Sequence, residues 1–483
     1  VGQMQLIEKI QQNIFVRYSF ELADRIPRLD LKKTDAYYIP ELVNRFFEIP
    51  ALQKGLAKLL LDIPTATIQI VFGLILLSFY HPAFILFGMI LVLILWLILY
   101  YTGNKGLQTS LTESAYKYGV AAWLEEMGRL IKSFKFSKGS VINLRKTDEK
   151  VSGYLDARNS HFNILQFQFK VLIAFKVLIT AAMLIIGSLL LVNQQLNIGQ
   201  FIAAEIVIIS VIASVEKLIG NLDSVYDVLT SVDKIAKITD KPVETSGTYL
   251  LPEKNEGLSI EAGNVCFAYN DEKYVLQNIS FRINAGETVC ITGKEGSGKS
   301  TLLKIVSGSY QGFEGSLLLN ELPVGNYELK SLRQQTGILL SQQDIFHGSL
   351  LDNITMGQPG IDVQQIIRLF KETGLADFLS SLPEGFDTWL DPTGKRLSRN
   401  VVNKILLVRA LVGQPRLLLL EEPWTHIEEP YRSQIIRLLL KDYPNTTILV
   451  VSNDPEFTRL CDKVIDVKNE GCIIKQNKTT DHD

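Results

Sequence analysis

Gly293-Lys294-Glu295-Gly296-Ser297-Gly298-Lys299-Ser300-Thr301 is the stretch whose reading decides the fold. An apolar run through Val289, Cys290 and Ile291 precedes it and reads as a buried strand. A helix-forming run begins at Lys299 and continues through Leu302 and Leu303. The spacing Gly-x4-Gly-Lys-Ser between strand and helix fits a phosphate-binding loop. Glycines let backbone N–H groups close around a polyphosphate, and the helix N-terminus adds partial positive charge. In such a loop Lys299 reaches the β- and γ-phosphates, and the Ser300 hydroxyl ligates Mg2+. A chance glycine-rich turn would not need the strand–loop–helix context. A nucleotide site lined by Gly293 through Thr301 is the first expectation.

Working outward, 483 residues suggest two or more domains. A net charge of −2 gives no basic footprint, which argues against nucleic acid as a partner. Hydrophobic residues make up 47% of the chain, and their apolar runs crowd the first 220 positions. Cys266, Cys290, Cys461 and Cys472 form no Cys-x-x-Cys pair and read as reduced thiols of a cytosolic domain. Residues 1–50 are charged and amphipathic, unlike a signal peptide, and position 1 is not Met. A start inside a longer protein is the expectation.

From Gln5 to Ile26, apolar residues recur at helical spacing (Leu6, Ile10, Ile14, Leu22), and Pro27 breaks the pattern. No charged residue occurs from Ile63 to Tyr80, nor from Ala83 to Thr102 after the His81-Pro82 turn. Two further apolar runs, Val177–Val192 and Ile198–Val215, flank Asn193-Gln194-Gln195-Leu196-Asn197. Each is long enough to contribute a bilayer crossing. Neither outer turn carries Lys or Arg, whereas residues 105–170 are rich in both, so that side is cytoplasmic. Four spans, at about 58–80, 82–104, 165–193 and 198–220, leave both termini inside. Lys176 reads as an inner-interface anchor. Glu205 is either a cavity-lining group or a carboxylate paired with a neighbouring helix.

The expected organisation is a membrane domain over 1–240, a linker over 241–257, a second domain over 258–475 and a tail over 476–483. The fold class is an all-α membrane domain plus an α/β nucleotide-binding domain. In the second domain, apolar runs such as Leu258–Phe267, Ile279–Ile283, Thr336–Leu340 and Thr447–Val451 alternate with helical stretches. That alternation predicts a mainly parallel sheet with helices on its faces. Leu417-Leu418-Leu419-Leu420-Glu421-Glu422 is an apolar strand ending in two acids. A phosphate-loop enzyme needs an acid there to hold Mg2+ and a base or water-orienting group beside it. Glu421 takes the first role and Glu422 the second.

Four spans with long cytosolic extensions, followed by a phosphate-loop domain, resemble an ATP-binding-cassette (ABC) transporter of the exporter type. The resemblance covers nearly the whole chain; of the six spans it implies, the first and most of the second are missing, which fits a truncated start. It implies ATP and Mg2+ as cofactors, and a lipid bilayer of the plasma or inner membrane as the setting. It also implies a second half-transporter, identical or paralogous, that completes two shared ATP sites. Tyr269 matches the aromatic that stacks on adenine, and Gln342 the glutamine that senses Mg2+, with Gln343 as its rival. Tyr37–Leu42 and Ala122–Glu126 resemble the two cytosolic coupling elements.

Several positions depart from the family pattern. The signature Leu-Ser-Gly-Gly-Gln reads Leu397-Ser398-Arg399-Asn400-Val401. In the family the glycines bring backbone close to the γ-phosphate bound by the opposite half, where a bulky Arg and a β-branched Val fit less well; the alternative is that Arg399 meets phosphate directly. The Mg2+-securing aspartate is Glu421, one methylene longer, and Thr-Ser-Ala-Leu-Asp becomes Trp424-Thr425-His426-Ile427-Glu428. The switch histidine falls on Asn453, an amide that can hydrogen-bond phosphate but cannot carry a proton. His426 and His347 read as surface residues. Slow ATP turnover is expected, with Glu422 keeping it above zero.

Overall fold

The protein is described from a computed structural model covering residues 2–34, 38–269, 273–341, 343–391, 397–468 and 470–477. It divides into two compact units, one of residues 1–29 and 36–242, the other of residues 30–35 and 243–483.

The first unit is helical. Gly2–Arg25 ends where Pro27 removes a backbone donor. Four helical stretches are long and apolar enough to cross a membrane: Ile39–Tyr80, Ala83–Arg129, Ile142–Val192 and Ile198–Thr239. The second, at 47 residues, extends roughly 70 Å, against about 30 Å of hydrocarbon. The polar residues from Lys105 onward therefore form a rod outside the bilayer. His81, in extended backbone, separates the first two spans, and the Asn197–Gln200 capping box opens the last. Leu77, Phe84, Leu91, Met183 and Ile208 share one buried cluster among the spans. The helices approach closely at Gly73, where a Cβ would lie 2.4 Å from Val211 Cγ2.

Polar side chains along the extensions satisfy one another, as buried groups must. Gln168 donates to the hydroxyls of Thr102 (2.9 Å) and Tyr226 (2.8 Å). Tyr118 and Ser231 each donate to Glu48 at 2.7 Å. Lys176 gains a partner that its reading as an interface anchor lacks, donating to Glu216 at 3.0 Å. Glu205 is half-buried and makes no hydrogen bond or ion pair among the described residues.

The coupling elements differ from expectation. Ala122–Glu126 is not a separate short helix: it forms the last turns of Ala83–Arg129, and the short helix is Ile131–Lys135. Tyr37 lies outside the described residues, and Ile39–Val43 is a short helix of the first unit. The segment that groups with the second unit is 30–35, where the Lys32 ammonium sits 4.8 Å from the Phe267 ring centroid.

The second unit holds twelve strands among the described residues. They are β1 (Ile260–Ala268), β2 (Tyr274–Ile283), β3 (Thr288–Gly293), β4 (Glu314–Leu319), β5 (Leu322–Pro323) and β6 (Thr336–Leu339). Then follow β7 (Gly348–Ser349), β8 (Trp389–Leu390), β9 (Leu417–Glu421), β10 (Thr447–Val451), β11 (Lys463–Val467) and β12 (Cys472–Gln476). A six-stranded sheet runs β12-β11-β3-β10-β9-β6, parallel throughout except for the β12 edge. The mainly parallel expectation describes this sheet only. A second sheet, β2-β1-β4-β5, is antiparallel throughout: β1-β2 and β4-β5 are hairpins, and β4 joins β1 only after the chain has passed through β3 and the helix Lys299–Val306.

The central strands are buried on both faces, which is why they read as unbroken apolar runs. Cys290, Leu418, Leu420, Ile448 and Val450 enter one core, with the helices Arg399–Leu411 and Tyr431–Lys441. Val289, Ile291, Leu417, Leu419 and Leu449 enter the other, with the helix Lys299–Val306. The period-two alternation thus builds two cores from one sheet.

Candidate functional site

Register brings the chemistry to one end of the six-stranded sheet. On β10, Val451 pairs with Ile291 of β3 on one side and Glu421 of β9 on the other. The phosphate loop, the acid pair and the Ser452-Asn453 turn therefore emerge together at the carboxyl ends of parallel strands. Open α/β sheets bind ligands at that edge.

The loop has the backbone its sequence requires. Gly293, Gly296 and Gly298 have φ of 146°, 77° and 91°, a region that L side chains rarely adopt. A Cβ at Gly298 would lie 2.5 Å from Leu276, while one at Gly296 would meet nothing within 4 Å. The loop thus packs against β2 on one side and opens on the other. Ser297, 3% exposed, has a buried hydroxyl without a hydrogen-bond partner among the described residues. Lys299 folds back on the loop, donating to the carbonyls of Gly293 (2.9 Å) and Lys294 (2.8 Å). An orphaned hydroxyl, an open glycine face and a lysine held only by carbonyls fit a polyphosphate.

Ser300 donates to the Glu421 carboxylate, whose other oxygen accepts from the Ser341 N–H at 2.9 Å. The two predicted Mg2+ ligands are therefore side by side. Glu422 has a left-handed φ of 44° and donates its N–H to Val451 O, and Ser452 donates to its carboxylate at 3.4 Å. Burial pushes the Glu422 carboxyl above the usual range. Glu421 and Asp454 add to that rise, against the opposing pull of Ser452 and Lys299. Asn453 lines a cavity of about 540 Å³ together with Gly293 and Lys294.

A second cavity, of about 640 Å³, lies beyond the acid pair and is lined by Glu421, Glu422, Gln343, Asp344, Arg399 and His426 among others. Gln343 faces it and also accepts from the Leu340 N–H at 3.2 Å. Gln342 lies outside the described residues. Tyr269 packs edge-on against Phe267 and Tyr310, and its hydroxyl shares a 2.8 Å hydrogen bond with Thr301. That bond ties it to the helix following the phosphate loop.

The altered signature is occupied within its own unit. Ser398 caps the helix Arg399–Leu411, Arg399 pairs with Asp344 at 3.4 Å, and Asn400 donates to Glu428. Trp424 is buried against Phe457, with ring centroids 5.0 Å apart. Arg432, which sequence reasoning passed over, pairs with Asp454 and holds the turn beyond Asn453. Only the excess of acids near residues 454–456 could have signalled it.

Comparison with known proteins gives two family matches, "ABC transporter" over residues 276–425 and "ABC transporter transmembrane region" over residues 7–215. This chain belongs to the ABC exporter family. The family's ATP-binding region contains the phosphate loop and both acids. The chain is 31% identical over 285 residues to the alpha-hemolysin translocation ATP-binding protein HlyB of Proteus vulgaris. It is 30% identical to the leukotoxin export ATP-binding protein LtxB of Aggregatibacter actinomycetemcomitans. Each alignment covers 59% of this chain and 40% of the relative, so the chain matches about two fifths of those proteins' length. The solved structure of a bacterial Atm1-family ABC exporter with ATP bound shares the fold, with a TM-score of 0.85 and 19% identity. That match covers 97% of this chain and 83% of the other. As an ABC exporter, the chain spans the membrane and keeps its nucleotide-binding domain on the cytoplasmic side.

Proposed function

We propose that this ABC exporter chain is one half of an ATP-driven export machine with slow nucleotide turnover. The observation that carries the reading is the junction of Ser300 with Glu421, which places the phosphate loop and the acid strand end in one site. Lys299 and the loop N–H groups hold the phosphates, and Tyr269 stands where the family's adenine-stacking aromatic does. Mg2+ would be held by Ser300 and Glu421, with Gln342 or Gln343 sensing it, and would neutralise charge on the phosphates. Glu422, with its raised carboxyl, orients and deprotonates the attacking water. Asn453 hydrogen-bonds the terminal phosphate in place of a histidine.

The sites are completed by a second half-transporter, identical or paralogous. Slow turnover is supported by Asn453 and by the Arg399-Asn400-Val401 stretch, whose side chains engage partners of their own unit. The test uses the full chain in lipid nanodiscs. Nucleotide binding is read with a fluorescent ATP analogue and hydrolysis by phosphate release. Lys299→Ala is expected to abolish binding, and Glu422→Gln to keep binding while abolishing release. Unchanged binding in Lys299→Ala, or brisk hydrolysis by the purified homodimer, would overturn the reading.

A further inference from the structure

The nucleotide chemistry makes no use of a cavity in the first unit, between the helices Glu48–Tyr80, Ala83–Arg129 and Leu222–Thr239. Its volume is about 400 Å³, the size of a small-molecule site. It lies on the cytoplasmic side of the spans. Lys54, on its wall, stands nine residues before the uncharged run that opens at Ile63, roughly 13 Å along the helix. One wall is set by a close helix approach at Gly55, where a Cβ would fall 2.5 Å from Val228 Cγ2.

Most polar groups on that wall satisfy one another. Glu48 accepts from Tyr118, Ser231 and Lys117, and Ser110 shares a hydrogen bond with Thr230. Glu113 pairs with Arg158, and Lys58 donates to Ser224. Three groups have no such partner. Ser114 is 6% exposed, and its buried hydroxyl makes no hydrogen bond among the described residues. Lys54 and Asp227 line the same cavity at its exposed rim, and neither makes a hydrogen bond or ion pair among the described residues.

A buried hydroxyl without a partner costs about 1–3 kcal/mol, and here it borders a space that can hold one. The wall carries three lysines and three carboxylates, so neither a simple anion nor a simple cation matches it. The described residues also include no cluster of acids, His or Cys suited to a metal ion. What matches an exposed cation and an exposed anion on the rim of one cavity, with a buried unpartnered hydroxyl between the same helices, is a solute bearing both charges. We propose that this cavity binds a small zwitterion of dipeptide size. Its carboxylate lies against Lys54, its ammonium against Asp227, and a polar atom meets Ser114. The site goes beyond the nucleotide reading and does not depend on it, since its residues all belong to the first unit and the phosphate loop to the second.

The test is isothermal titration calorimetry on the full chain in lipid nanodiscs, with L-alanyl-L-alanine as the probe. Saturable binding is expected. Blocking either charge of the probe, as the N-acetyl or the C-terminal amide form, is expected to weaken binding about tenfold, the scale of one charge-assisted contact. Lys54→Gln and Asp227→Asn should each weaken it to a similar extent, and Ser114→Ala to a smaller one. Fluorescent-ATP binding should be unchanged in all three variants, as a control for folding. The blocked probes need no variant, so they decide the matter even if a substitution harms folding. Absence of saturable binding, equal binding of blocked and free dipeptide, or binding indifferent to both charge removals would overturn the proposal.

Discussion

Asn400 donates its side-chain amide to the Glu428 carboxylate. Two stretches that depart from the family pattern, one at the signature and one after the acid pair, thus hold each other within a single chain. Glu428 also receives Lys404, a buried cation at 3.4 Å whose other neighbours are the Gly374 carbonyl and the Tyr431 ring. The contribution of the pair is modest because Glu428 is largely exposed. Asn400→Ala is expected to cost about 0.5 kcal/mol and Glu428→Ala about 1 kcal/mol, since the latter also strands Lys404. The double variant should cost no more than Glu428→Ala alone. A double-mutant cycle on denaturant unfolding checks this, and full additivity would show that the two stretches are independent.

Burial raises the Glu422 carboxyl above its ordinary range, and the sign of the consequence follows from linkage. The folded state binds this proton more tightly than the unfolded chain. Its stabilising effect is therefore complete below the unfolded value near 4.5 and lost as pH rises through the folded value. At neutral pH the ionised, partly buried carboxylate is a cost to stability. Glu422→Gln is expected to raise the unfolding temperature at pH 7 to 8 and to lose that advantage near pH 4. Hydrolysis by the native chain should fall as acid protonates the base. Thermal scans at both pH values, beside a pH profile of phosphate release, read the two effects separately.

Arg416 is 6% exposed and fastens the segment before β1 within the second unit. Its guanidinium donates to the carbonyls of Glu256 (2.5 Å) and Pro252 (2.8 Å) and to Gln335 (3.1 Å). Arg416→Ala removes three bonds from a planar donor at once and is expected to destabilise by about 2 kcal/mol. Arg416→Lys keeps the charge without the fork and should fall between the two. Thermal unfolding gives the order, and limited proteolysis near residues 252–257 should quicken in parallel. A neutral Arg416→Ala would mean that the segment is held by its other contacts.

Legibility in the sequence followed locality. The phosphate loop, the acid pair and the four spans could be read because each is a contiguous pattern with one physical cause. The antiparallel sheet was only partly visible, because β2 begins at Tyr274 but polar Gln277 and Asn278 hide its first half; in the six-stranded sheet the β12 edge is short and exposed. Contacts distant in sequence, such as Arg432 with Asp454 or Asn400 with Glu428, leave no periodicity to find. The departures at 399–401 and 424–428 were visible as losses. Their compensation, a buried Trp424 and a cross-linked Asn400, required the fold.

Asn453, which the proposed function places at the switch position, lies beside Gly293 and Lys294 on the wall of one cavity. An amide there can donate to a phosphate oxygen, but it cannot pass a proton or carry positive charge as charge develops. If that deficit limits turnover, Asn453→His should raise kcat about tenfold while leaving the affinity for nucleotide nearly unchanged, since the gain is confined to the transition state. The signature is a second barrier, acting across the two halves. Arg399→Gly, Asn400→Gly and Val401→Gln together break the Asp344 and Glu428 contacts, restore the two glycines that let backbone approach phosphate and return the signature's Gln. In a homodimer each site contains both defects, so the quadruple variant should exceed the product of the separate gains. Phosphate release by the four proteins in nanodiscs measures this directly. A quadruple variant no faster than the native chain would place the limit outside these residues.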